Sequence, residues 1–189
     1  MQNINLEKDI MKKIFSCVAF MALLSFVFVS CGNEDENPLE KLTGKMDITI
    51  DGESKTFPTA HFLGNGNKTV ITAGTINITI DKNPTGEYTL GFGKDANTAA
   101  NEIVSNGIST ISSGHTLIYT PAFSDVQTSV YGLLTITEAT DNKLVGSFSV
   151  AVVELSILTD LDLANVLSIL NGSSCKKITG TFTAVNYIN

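Results

Sequence analysis

The chain has 189 residues, with 19 acidic residues, 12 lysines, no arginine and a formal net charge of -7. Arginine is the residue that makes bidentate contacts to phosphate and guanine, and an acidic surface repels polyanions. The composition therefore argues against nucleic acid and anionic lipid headgroups as partners. The length suits a single domain that buries its own core.

The N-terminus carries an apolar segment at residues 14–29, which follows a lysine pair and is closed by a serine and Cys31. A membrane-spanning helix needs about 20 apolar residues, whereas the apolar part of a secretion signal needs about 7–15. The N-terminal position of this segment and its flanking residues favour a signal peptide that covers residues 1–30, with translation starting at Met11. The alternatives are a retained anchor and an ordinary cleaved signal. Residues 28–31 resemble the lipobox of bacterial lipoproteins, which implies that Cys31 is lipidated.

Residues 31–44 are interpreted as a lipidated tether, because residues 32–38 are acidic and chain-breaking. Charge with almost no apolar content cannot bury enough surface to become ordered. The stretch also resembles the acidic export signal of Bacteroidota lipoproteins. That resemblance implies an outer-membrane, lipid-anchored protein that faces the cell exterior. Residues 45–189 are expected to form a single β domain.

Alternating apolar and polar residues predict strands from Lys45 onward. Ile76, Ile78 and Ile80 alternate with polar residues, and Asn83–Gly86 then has the residues that a type I turn favours. Because alternation resumes at Tyr88, we predict a hairpin across this turn. Residues 94–102 are polar and small, and we expect a loop there.

Two later segments, Leu144–Val150 and Ile178–Ala184, share the pattern apolar–x–Gly–hydroxyl–Phe–hydroxyl–apolar. On a strand the glycine and the phenylalanine share one face, and the hydroxyls share the other. We therefore expect two similar strands with Phe148 and Phe182 in the core. Each glycine permits a bend or the close approach of a neighbouring aromatic ring.

One short helix is predicted near residues 160–171. Thr159 offers a capping-box-like start, and Asn171-Gly172 offers a left-handed stop. Leucine and valine side chains recur on one side at helical spacing. Since that side must be buried, we expect the helix to cover an open end or face of the sheet structure as a plug.

These elements define an all-β fold class, with about eight to ten strands and one helix. The favoured architecture is an antiparallel β-sandwich. The alternative is a closed or partly open, lipocalin-like β-barrel, because local periodicity does not reveal whether a sheet closes.

Residues that carry chemistry are few and scattered. His61 and His115 each lack a second ligand nearby in sequence, whereas zinc needs three or four. The segment 95–102 offers oxygen ligands, but it lacks the third closely spaced acid and the turn glycine of a calcium loop. We therefore predict no catalytic residue, no cofactor and no metal site.

The three cysteines have separate expected fates. Cys17 leaves with the signal and Cys31 takes the lipid, so Cys175 remains alone and an intramolecular disulfide is excluded in the mature domain. We expect Cys175 to be a small residue at a strand start. A reactive thiol is the alternative, because the adjacent Lys176 and Lys177 would lower its pKa.

Several motifs together resemble a group of small Bacteroidota outer-membrane lipoproteins of unknown function. The resemblance rests on Met46–Gly52, Gly86–Gly91, Gly132–Thr137, Leu144–Phe148 and Ile178–Phe182. It implies a surface lipoprotein with no assigned activity, and it transfers no functional residue.

The first functional hypothesis is a lipid-anchored, non-catalytic binding or adhesion module, with a glycan or a host or envelope protein as partner. The second is a barrel-like carrier of a small apolar ligand, with the helix as its lid. The third is a hydrolase that uses dispersed carboxylates. The oligomeric state is left open.

Overall fold

The computed structural model describes residues 43–81, 85–107, 114–122, 125–159 and 163–187. The interpretations of the signal peptide, of Cys31 and of most of the tether lie outside the described residues. Within them the chain forms ten strands and three helices. The strands are β1 (Lys45–Ile50), β2 (Glu53–Phe57), β3 (His61–Asn65), β4 (Lys68–Ala73), β5 (Ile76–Asp81), β6 (Gly86–Thr89), β7 (Thr116–Tyr119), β8 (Gln127–Ala139), β9 (Lys143–Glu154) and β10 (Lys176–Asn186). The helices are α1 (Ala96–Asn106), α2 (Leu155–Thr159) and α3 (Leu163–Leu170).

Seven strands close into a barrel. The ring runs β3, β4, β5, β7, β8, β9 and β10, and β10 returns to β3. Strands β1 and β2 extend the sheet from β10, and β6 pairs with β8 beside β7. The all-β prediction is confirmed. The sandwich prediction is wrong, and the alternative of a closed barrel is confirmed.

Closure depends on two short seams of two residue pairs each. The pairs are Val185–His61 and Asn186–Phe62 between β10 and β3, and Ile118–Thr128 and Tyr119–Gln127 between β7 and β8. The strands β10 and β3 are far apart in sequence, and β7 and β8 are joined by an irregular loop. The alternation of apolar and polar residues along a strand is the same in a sandwich and in a barrel. The sequence therefore could not distinguish the two architectures.

The predicted hairpin between residues 76–81 and the strand after Gly86 is wrong. Strand β5 pairs with β4 and β7, whereas β6 pairs with β8. Turn chemistry reports only the local change of direction, and here β7 takes the place beside β5 that a hairpin would give to β6. Residues 82–84 of the turn lie outside the described part.

The prediction of a single helix is also wrong. Helix α1 occupies most of the segment that we expected to be a loop. Asp95 caps it, because the Asp95 side chain accepts a hydrogen bond from the Thr98 amide at 2.8 Å, and the Thr98 hydroxyl accepts one from the Asp95 amide at 3.1 Å. This reciprocal cap has threonine where the usual pattern has Glu or Gln, so the start signal was missed.

The helix expected near residues 160–171 is present as α3, and a separate short helix, α2, precedes it. Thr159 ends α2, and its hydroxyl donates to the Ser156 carbonyl at 2.8 Å. Gly172, two residues after the end of the helix, adopts φ +77°, which confirms the predicted stop. Residues 160–162 lie outside the described part.

The helices pack on the outside of the barrel wall. Val152 belongs to the barrel core, whereas Val153, next along β9, faces the other way and joins an apolar cluster with the helices. That cluster contains Phe92, Ala99, Ile103, Val130, Val153, Leu158 and Ile169. Helix α3 joins this cluster through the buried Ile169 and the half-buried Val166, whereas Leu167, which belongs to the predicted apolar side, is 53% exposed, so that side is not buried as predicted. The helix covers the wall and does not plug an end.

The two similar strand motifs lie side by side and interlock. Gly180 is paired with Phe148, and Gly146 is paired with Phe182, across β9 and β10. A Cβ atom placed on Gly180 would lie 2.6 Å from the Phe148 ring, and one on Gly146 would lie 2.8 Å from the Phe182 ring. Each ring therefore lies over the glycine of the other strand, which confirms the close approach expected from the sequence.

The barrel interior is filled with apolar side chains. Met46, Ile71, Leu90, Leu134 and Ile178 are fully buried in one continuous cluster with both phenylalanines. Side chains of small barrels commonly fill the lumen in this way. The interior therefore acts as the hydrophobic core of the domain.

Candidate functional site

The outer surface of β2, β1, β10, β9 and β8 forms a regular array of hydroxyl groups. The strand registers align Ser54, Thr49, Thr179 and Ser149 in one row, and Thr56, Asp47, Thr181, Ser147 and Thr135 in the next. We call the eight serines and threonines of these rows the hydroxyl face. All eight are exposed or half-buried.

The array follows from strand geometry. Ile48, Phe148 and Gly180 occupy the inward phase of β1, β9 and β10, so their neighbours in sequence point outward. Adjacent strands lie roughly 4.8 Å apart, and same-face residues repeat about every 6.8 Å along a strand. The hydroxyls are therefore held at fixed spacing by a rigid, well-packed wall.

Two adjoining grooves cross the hydroxyl face. The larger has a volume of about 420 Å³, and its polar lining includes Asp47, Thr49, Lys55, Thr56, Thr179 and Thr181. The smaller, of about 280 Å³, is lined by Lys45, Asp47, Thr137, Ser147, Thr181 and Thr183. Asp47 and Thr181 contribute to both grooves, so they lie at the centre of the surface.

Asp47 is the carboxylate at that centre, and its negative charge is balanced by a neighbouring lysine. Lys45 Nζ lies 2.8 Å from Asp47 Oδ2, and the Thr56 hydroxyl donates to Oδ1 at 2.5 Å. These two hydrogen bonds, that of Lys45 first, hold the pKa of Asp47 below its usual value. The charges of Lys45 and Asp47 therefore balance each other, while Lys55, whose Nζ lies 4.9 Å from the centre of the Phe57 ring, also lines the larger groove.

A second polar cluster lies at the barrel rim. Asp81, the last residue of β5, receives Lys68 Nζ on Oδ1 at 2.6 Å and lies 3.0 Å from His115 Nε2 through Oδ2. Lys68 and then His115 lower the pKa of Asp81. Strand contacts bring these three together although Asp81 and His115 are 34 positions apart in sequence. In the sequence, His115 lacked a second ligand nearby, so this contact was not expected.

Tyr88 completes the rim cluster from β6. Its ring meets the His115 ring edge-on, with centroids 5.1 Å apart. Its hydroxyl is buried and has no hydrogen-bond partner among the residues that the structure describes. Burial, followed by the negative charge of Asp81, raises the pKa of Tyr88, so the phenol stays neutral under physiological conditions.

The two histidines have different surroundings. His61 contacts the Tyr187 ring edge-on at 5.7 Å, beside the seam between β3 and β10, whereas His115 is in the rim cluster. Of the oxygen ligands considered for calcium, Asp95 caps α1 and Glu102 accepts a hydrogen bond from Asn106 at 2.7 Å. Among the described residues, no group of three His, Cys, Asp or Glu side chains is placed to hold a metal ion.

Cys175 is half-buried beside the helices. Its thiol lies 3.6 Å from the Ile169 carbonyl, and burial raises its pKa to about 11. This direction opposes the reactive-thiol alternative, because burial disfavours the charged thiolate. At pH 7.5 we expect a soluble thiol reagent to label Cys175 in the folded protein at least about tenfold more slowly than in the urea-unfolded protein. Equal rates, measured with Cys17 and Cys31 both replaced by serine, would contradict this.

The fold and surface define a small closed β-barrel with a filled core and a hydroxyl-lined outer wall. No model of a known protein family matches the chain, and no curated protein matches it. Across the described part of the chain, each helix is too short or too polar to cross a membrane.

Proposed function

We propose that this chain is a lipid-anchored, non-catalytic binding protein of the outer membrane, facing the cell exterior, and that its hydroxyl face binds neutral, hydroxyl-rich glycans. The observation that carries the proposal is the two-row array of hydroxyls with its two adjoining grooves. The anchor rests on the leader, on Cys31 and on the resemblance to small Bacteroidota lipoproteins.

The outer wall suits ligand binding better than the interior does. A carrier of a small apolar ligand needs an internal cavity of some ~300 Å³ or more. Here apolar side chains fill the lumen, and the two grooves lie on the outside. The helix that was to act as a lid packs on the wall. These features favour a surface binder over a carrier.

Charge and hydrogen-bonding capacity favour a neutral glycan as the ligand. Each serine or threonine hydroxyl can both donate and accept, as sugar hydroxyls do. The Lys45–Asp47 pair cancels its own charge in the middle of the face, although the whole chain is acidic. An uncharged partner therefore meets no electrostatic barrier there, whereas a charged partner finds no free counter-charge in the pair.

The electrostatics of the hydroxyl face favour binding over hydrolysis. A general acid in glycoside hydrolysis needs a carboxyl group whose pKa is raised. The pKa of Asp47 moves in the opposite direction, because Lys45 and Thr56 stabilise its ionised form. A carboxylate held in this way can orient a sugar hydroxyl, but it is poorly suited to donate a proton at neutral pH.

The test is an array of neutral and charged glycans, probed with the purified protein carrying Cys31→Ser. We expect the protein to bind neutral glycans. Removing two hydroxyls without changing side-chain shape, in Thr179→Val/Thr181→Val, should weaken that binding by about tenfold or more, since each hydrogen bond contributes about 0.5–1.5 kcal/mol.

The matched control is Thr79→Val, which removes a half-buried hydroxyl from the outer side of β5, away from the hydroxyl face. It should bind as the parent protein does. Silence of the parent protein across the array, or equal weakening by the control, would contradict the proposal.

A further inference from the structure

Strand β2 lies at an open edge of the sheet. Among the described strands it pairs only with β1, and its first four residues, Glu53, Ser54, Lys55 and Thr56, are exposed. A strand at a sheet edge presents a row of backbone N–H and C=O groups that a further strand can bind. Strand β2 is therefore a place at which another chain can continue the sheet.

The register of the β1–β2 hairpin determines which of these backbone groups point outward. The Asp51 amide donates to a carbonyl of β10 at 3.1 Å, so the residue before it, Ile50, directs its backbone groups toward β2. Ile50 faces Glu53 across a tight turn, and the direction of the groups alternates along each strand. The amides and carbonyls of Ser54 and Thr56 therefore point to the open edge.

The charges on β2 are self-complementary. Glu53 and Lys55 are separated by one residue, so their side chains project from the same side of the strand. In the described part of the chain, neither takes part in an ion pair. A lone lysine on an edge strand opposes pairing with a second copy. When two β2 strands pair antiparallel about Ser54, however, each Glu53 lies directly opposite the other copy's Lys55.

The same chemistry disfavours the neighbouring registers. Pairing centred on Glu53 or on Lys55 places like charges face to face, which is destabilising. Pairing centred on Thr56 sets Ser54 opposite Pro58, and proline has no amide hydrogen to donate. The register centred on Ser54 is the one that joins outward backbone groups and also sets opposite charges on both sides of the centre.

We propose that two copies of this chain associate through β2, as antiparallel strands related by a two-fold axis at Ser54. The axis is perpendicular to the sheet, so side chains that face outward in one copy face the same way in the other. The two hydroxyl faces, which include Ser54 and Thr56, then become one continuous surface. The association does not depend on glycan binding, but it gives the proposed ligand two adjoining sets of grooves.

The test is disulfide trapping between copies on intact cells. In the proposed register the two Ser54 Cα atoms lie roughly 5.5 Å apart, which a disulfide spans, whereas the two Thr56 Cα atoms are offset by roughly 13 Å along the strands. Cells that express the native chain, Ser54→Cys or Thr56→Cys are treated with a mild oxidant, and covalent dimer is measured on non-reducing gels. We expect Ser54→Cys to give at least about tenfold more dimer than either of the others.

Charge reversal tests the register independently. In the Ser54→Cys background, Lys55→Glu sets two carboxylates opposite each other on both sides of the axis, so trapping should fall about fivefold or more. The double change Glu53→Lys/Lys55→Glu restores opposite charges and should restore trapping. The control is Lys94→Glu, an exposed position before α1, which changes the net charge as Lys55→Glu does and should leave trapping unchanged.

Three results would overturn the proposed dimer. They are equal trapping of Ser54→Cys and Thr56→Cys, the absence of trapped dimer from Ser54→Cys, and the failure of the double charge reversal to restore trapping. These measurements use no glycan, so their failure is distinguishable from a failure of the hydroxyl face to bind one.

Discussion

Replacing Phe148 with alanine is expected to lower the free energy of unfolding by about 3–5 kcal/mol. The Phe148 ring is 4% exposed, lies in the barrel core and covers the backbone of Gly180 on the next strand. Its loss removes apolar burial and uncovers a glycine that has no side chain to fill the space. Urea unfolding followed by circular dichroism measures the change.

The control for this substitution is Val104→Ala on α1. Val104 is 77% exposed, so shortening it should change the free energy of unfolding by no more than about 0.5 kcal/mol. A loss of less than about 1 kcal/mol for Phe148→Ala would contradict a filled barrel, because it would mean that the ring borders empty space or solvent.

Adding a methyl group at Gly180 is the second large effect that we expect. In Gly180→Ala the new Cβ would lie 2.6 Å from the Phe148 ring and 2.9 Å from the Asp47 carbonyl oxygen. Because a backbone atom and a packed ring must both move, the free energy of unfolding should fall by about 1–3 kcal/mol. The same urea titration measures it.

Gly64→Ala is the matched control, because nothing lies within 4 Å of a Cβ at Gly64 and its φ is not positive. It should leave stability unchanged or slightly improved. The double variant Phe148→Ala/Gly180→Ala should be more stable than the sum of the single changes implies, since the shortened residue makes room for the methyl group. Strict additivity would contradict the interlocked arrangement of ring and glycine.

The sequence predicted what depends on strand periodicity. Alternation along Leu144–Val150 and Ile178–Ala184 placed Phe148 and Phe182 inside and the hydroxyls outside, and the structure confirms the inward phenylalanines. It also indicated that each glycine admits an aromatic neighbour. The sequence did not show that the two motifs pair with each other. Only the register between β9 and β10 places each phenylalanine ring over the glycine of the other strand.

Closure and the rim cluster could not be read from the sequence, because both depend on contacts between distant strands. Whether the sheet closes into a barrel depends on two residue pairs between β10 and β3 and two between β7 and β8. The Asp81–His115 contact exists only because β7 lies beside β5, where the turn at residues 83–86 predicted β6. Helix α1 was missed for a local reason, since Thr98 replaces the usual acidic or amide residue of its cap.

The hydroxyl face, too, could be predicted only in part from the sequence. The outward phase of Thr179, Thr181, Ser147 and Ser149 follows from the repeated motif, but the motif alone gives two strands rather than a surface. Strand β1 completes it by pairing with β10, and β2 pairs with β1, which brings Asp47 and its Lys45 partner to the centre. The grooves are therefore a product of topology.

Glycan retention by intact cells tests most directly the central claim that a membrane-anchored hydroxyl face binds neutral glycans outside the cell. Cells that express the native chain, Thr179→Val/Thr181→Val or Cys31→Ala are incubated with the fluorescent neutral glycan that binds best on the array, and retained fluorescence is measured. We predict retention by the native chain, and its loss in both variants. Equal retention by all three, or none by the native chain, would contradict the account.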